Sequence, residues 1–175
     1  MRKLFLTSLL LSFAVLAVCQ DKSQRPSPPA QAQCTFPDGK SVTINYSSPR
    51  AKGRKIFGEL VPYGEVWRTG ANEATTFVTD ANLSIGGKDI PAGSYTIFTI
   101  PNSNTWTLII NKKTGEWGIP YKYKDDELAR VGMMASPTPS PVENFTIALT
   151  PRGDACTLTM SWENTQASVD ISEKK

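Results

Sequence analysis

Between Trp67 and Glu73 the chain gathers four side chains able to hold a polar molecule: an aromatic face, a planar cationic fork, an amide and a carboxylate, supplied by Trp67, Arg68, Asn72 and Glu73. Aromatic rings stack on apolar faces, while arginine and asparagine fix orientation through directed hydrogen bonds. That chemistry suits binding of a small polar ligand, a glycan or a protein partner. Gly70-Ala71, in the middle of the set, permits a bend that brings backbone close to a neighbour. Upstream, Arg50 and Arg54, with Lys52 and Lys55, add a positive rim. A purely structural alternative stands beside this one: Trp67 plugs the core, and Arg68 pairs with Glu73 to fix a long loop.

Other chemistries find less support. The sequence contains no histidine, the commonest general base and a common metal ligand. It has no Gly-x-Ser-x-Gly elbow, no Cys-x-x-Cys pair and no glycine-rich phosphate loop. No cofactor or metal is implied. Asp125, Asp126 and Glu127 cluster without the alternation of a calcium loop, and read as a solvated acidic turn. Glu59, Glu65, Glu73 and Glu116 leave open a carboxylate-dependent glycan-active enzyme, since paired carboxylates suffice for glycoside hydrolysis. A structural component of the cell envelope is the third alternative. Trp106 and Trp162 read as core residues, whereas Trp117, between turn residues, reads as exposed.

The elements that must position these side chains are strands. Val42, Ile44 and Tyr46 share one face of an alternating run; residues 75–79 make another. Runs 83–85 and 88–90 flank Gly86-Gly87, a two-residue hairpin signal. Runs 94–100 and 105–111 are apolar on both faces, as in central strands or strands covered by another segment. Phe145, Ile147 and Leu149 form an inward face, followed after a turn by Cys156, Leu158, Met160 and Trp162. Residues 124–131 alone look helical, and Pro137, Pro139 and Pro141 mark an extended loop. The fold expected is all-β, a sandwich or barrel-like domain of short antiparallel strands spanning 34–175.

Residues 1–19 read as a bacterial export signal: Arg2 and Lys3 precede an apolar run over 4–18, too short to span a membrane. Leu16-Ala17-Val18-Cys19 is similar to a lipoprotein cleavage box, although Val18 stands where a small residue is usual, and cleavage near Ala30-Gln31-Ala32 is the competing possibility. Residues 20–33, with three prolines, read as a polar spacer. Of the three cysteines, Cys19 is the lipidation candidate, which leaves Cys34 and Cys156 to pair in an oxidising compartment. Such a closure contributes about 4 kcal/mol. The expected location is the periplasm or cell envelope, with the membrane as partner through lipidated Cys19. Nineteen basic residues, two of them in the leader, face sixteen acidic ones, so bulk charge gives no case for nucleic acid.

The stretch from Tyr46 to Thr76, YSSPRAKGRKIFGELVPYGEVWRTGANEATT, together with Pro91-Ala92-Gly93-Ser94-Tyr95 and residues 111–118, resembles a family of uncharacterised secreted bacterial proteins, a domain of unknown function. The resemblance extends from about Cys34 to Val169 and implies an exported β-rich domain. It supplies no activity, substrate or catalytic residue.

Overall fold

The computed structural model describes residues 21–175, so the leader over 1–19 and the lipidation candidate Cys19 lie outside the described residues. Nine strands form one antiparallel sheet: β1 (Pro29–Thr35), β2 (Ser41–Ser47), β3 (Thr76–Thr79), β4 (Leu83–Ile85), β5 (Lys88–Ile90), β6 (Gly93–Ile100), β7 (Thr105–Asn111), β8 (Glu127–Arg152) and β9 (Ala155–Glu173). Their order is β1-β2-β3-β6-β7-β8-β9-β4-β5. The fold is therefore all-β, as expected, but two of its strands are long: β8 has 26 residues and β9 has 19.

That long hairpin makes the sheet sandwich-like. Its first part pairs with β7, and its second part packs against the β1–β2 end of the sheet. Beyond β2, Ala51 N–H donates to Glu143 O (2.8 Å) and Phe145 N–H to Pro49 O (2.9 Å), so the chain after β2 runs along the middle of β8. Tyr46 Oη accepts the Ile147 N–H at 3.0 Å inside the core. Cys34 and Cys156 are disulfide-bonded, joining β1 to β9 as the cysteine count anticipates. Between the layers lie Val42, Ile44, Phe77, Ile97, Leu108, Phe145, Leu158 and Trp162, all within 2% of full burial. These are the inward positions that strict alternation selects.

β6 and β7 are covered on both sides. Ile97, Leu108 and Ile110 face the main core, whereas Phe98 and Ile109 form a second cluster with Ala74, Val66, Tyr121 and Tyr123. The cover comes from the loops around 66–74 and 121–123, which explains why these strands are apolar on both faces.

Three expectations need correction. Residues 124–131 are not helical: a short 3-10 turn, Lys124–Asp126, leads into β8, where Val131 and Met133 alternate into the core opposite β7. Burial at every second position outweighs a weak helical pattern. The prolines at 137, 139 and 141 lie within β8 rather than in a separate loop. Its pairing with β9 jumps from Pro137 to Val142, because proline offers no N–H to the ladder. The domain also begins earlier than expected. Residues 29–33, assigned to the spacer, pair with β2, and Ser48 N–H donates to Pro28 O at 2.9 Å.

Candidate functional site

Trp67 is set by backbone and ring together. It bridges to β6 through reciprocal bonds with Thr99, 2.8 Å and 2.9 Å. Its indole lies against Trp162, nearly parallel at 17° and 5.9 Å between centroids, and meets Phe145 edge-on at 4.9 Å. Phe57 and Trp106 approach it edge-on as well. The indole Nε1–H donates to Gly70 O at 3.1 Å, which closes the loop onto its own first residue. Gly70 sits at φ 150°, and a Cβ there would stand 2.9 Å from Ser47 O, so the bend demands glycine.

Beside the indole opens a groove of about 410 Å³. Leu60, Val61, Pro62, Val66 and Ile119 form its apolar walls; Arg54, Arg68 and Glu65 stand among them as the charged groups. Leu60 and Ile119 are exposed, so the groove presents apolar surface to solvent. The volume falls within the range of small-molecule sites.

Arg68 is held without an ion pair among the described residues. Its Nη1 donates to Asn72 O at 2.6 Å and makes a longer contact to Trp117 O at 3.4 Å, while its guanidinium lies 5.2 Å from the Trp117 ring centroid. Burial pushes its pKa below the ordinary arginine value. Trp117, 55% exposed as the turn context suggested, reaches this position because Gly118 lets two loops touch. A Cβ on Gly118, at φ 96°, would stand 2.9 Å from the Ala74 Cβ and 3.2 Å from the Arg68 Cβ.

Asn72 and Glu73 turn elsewhere. Asn72, at φ 57°, donates from Nδ2 to Ser27 O at 3.0 Å. Glu73 accepts two bonds from Arg25 Nη1, 3.0 Å and 2.8 Å, and lies 3.4 Å from Lys22 Nζ. The Arg68–Glu73 ion pair weighed from sequence is thus not formed; residues of the expected spacer take its place. The Glu73 carboxyl is held down to about 2, first by its own backbone N–H and then by Arg25. A general acid at neutral pH needs a shift the other way, so the direction speaks against Glu73 as the proton donor of a glycan-active pair.

Of the positive rim, Arg54 alone lines the groove. Arg50 folds back on Ser48, donating to its carbonyl and hydroxyl at 3.1 Å and 3.0 Å. Arg54 lines the groove but spends Nε on Ala51 O and Nη2 on Arg50 O. Lys55 pairs with Glu59. Of the six ligand-site residues expected, the groove brings together Trp67, Arg68 and Arg54; Asn72 and Glu73 anchor the loop behind it, and Arg50 lies outside the lining. The aliphatic walls were missed. Their signal was present in Leu60-Val61-Pro62, an apolar step inside an otherwise charged stretch.

Residues 27–171 match the model of the family described as "Protein of unknown function (DUF2911)". No curated protein and no solved structure matches the chain.

Proposed function

We propose, for a chain that belongs to the DUF2911 family of proteins of unknown function, that the groove beside Trp67 binds a small ligand without catalysing its conversion. One observation carries this: a cleft of about 410 Å³ combines exposed aliphatic walls with a half-buried arginine that no carboxylate neutralises among the described residues. A cavity required only for packing would be filled, and a cation placed only for solubility would be fully hydrated.

We also propose that the chain is exported and held at the cell envelope through Cys19. The disulfide between Cys34 and Cys156 supports an oxidising compartment. The segment from Lys22 to Ser27 would then link the tether directly to the 67–73 loop through Glu73 and Asn72. Loss of detergent-phase partitioning on Cys19→Ser tests the anchor; unchanged partitioning would remove it.

A thermal-shift screen of the full chain against peptides, short-chain acids and glycans tests the binding site. A ligand at about 100 times its Kd stabilises the native state by about 2.7 kcal/mol, so the melting temperature should rise with dose. Flat responses across all these classes would refute a binding role.

A further inference from the structure

We propose that the groove selects a ligand with an apolar body ending in a carboxylate, and that Arg68 reads that carboxylate; this rests on the binding role given above. The body follows from the walls. Stacking of a sugar needs a free aromatic face, yet Trp162 is 2% exposed and Trp67 has Trp162 parallel to it with Phe145, Phe57 and Trp106 around it. The most exposed apolar side chains of the lining are aliphatic: Leu60 and Ile119 are 48% and 37% exposed.

The head follows from the cation. Arg68 satisfies Nη1 with the Asn72 carbonyl and rests its plane by Trp117, but Nε and Nη2 have no protein acceptor among the described residues. A guanidinium edge with two parallel donors matches a carboxylate in bidentate geometry. Arg54 uses two donors on carbonyls and the Glu65 carboxylate offsets part of the charge, so the groove offers one open fork and a modest positive field, which suits a singly charged head better than a phosphate dianion. Partial burial of Arg68 without an anion leaves a desolvated charge that such a ligand would neutralise. Two sources share this chemistry: the C-terminus of an apolar peptide and a short fatty acid.

Matched pairs separate these possibilities by calorimetric titration of the full chain. The pairs are N-acetyl-Leu-Leu with its C-terminal amide, and octanoate with octanol. The carboxylate member should bind at least tenfold tighter than its neutral partner, an advantage that shrinks with added salt. Arg68→Gln should abolish the advantage of the carboxylate member over its neutral partner. The pair showing the effect identifies the source. Equal binding of both members would overturn the carboxylate assignment but keep the binding role; no binding by any of the four would count against the groove itself. Should Arg68→Gln fail to fold, the salt dependence on the unmodified chain decides the same question.

Discussion

At one end of the 67–73 loop, Trp67 is wedged among four aromatic side chains and hydrogen-bonded to β6. At the other, Glu73 is half exposed and held by Arg25 and Lys22, charges that lie far away in sequence. Packing fixes the first end, where surrounding atoms leave one arrangement. Polar contacts in partial contact with water fix the second, where each contact contributes little. Arg68 belongs to neither end. Its backbone follows the packed end, while its guanidinium leans on Asn72 of the polar end and on Trp117 of a third segment. A rigid base with a softer rim is the arrangement expected of a site that must accept a ligand.

Substitutions at the two ends should differ in size. Trp67→Ala removes the ring that Trp162, Phe145 and Phe57 share, and should lower unfolding free energy by about 3 kcal/mol in urea titration. A loss below about 1 kcal/mol would mean the ring is peripheral. Gly118→Ala should cost about 2 kcal/mol, because the new methyl meets the Cβ atoms of Ala74 and Arg68 and φ is positive there. It should also move Trp117 away from Arg68, visible as a shift in tryptophan emission.

Cutting the polar end should do least. Arg25→Gln or Glu73→Gln should change stability by under about 1 kcal/mol, while raising amide exchange over residues 22–28 and 70–73. The pH dependence has a definite sign. Glu73 has its carboxyl lowered from 4.5 to about 2, so the clasp contributes fully above 4.5 and is lost as pH falls towards 2. A carbon-detected titration of the Glu73 carboxyl should place its midpoint well below 4.5; a midpoint at 4.5 would mean that neither its backbone N–H nor Arg25 holds it.

The same contrast explains what sequence could reveal. Alternating apolar positions in β2, in the second part of β8 and in β9, the Gly86-Gly87 hairpin and the double-sided burial of β6 and β7 are consequences of local pattern, and each was legible. So was the pairing of Cys34 with Cys156, from count and compartment. The partners of Asn72 and Glu73 were not. Ser27 and Arg25 stand in a proline-rich stretch whose composition indicates a spacer, and no periodicity marks a polar residue that reaches across the fold. The groove was half legible. The density of Trp67 and Arg68 indicated its location, and Leu60-Val61-Pro62 hinted at its aliphatic wall, but only the fold brings Ile119 from a separate loop to the same groove. Continuation of β8 through its prolines likewise depends on β9 and β7 supplying pairing on either side of the gap.

The four tryptophans provide the most direct test of the groove. Trp67 borders it, Trp117 touches Arg68, and Trp106 is buried at 1% exposure away from its lining. In a proton–nitrogen NMR titration with N-acetyl-Leu-Leu or octanoate, the indole N–H signals of Trp67 and Trp117 should move together and saturate at one Kd, with Trp106 still. Saturable binding that leaves Trp67 and Trp117 unmoved would contradict the account, because the ligand would then sit elsewhere on the molecule.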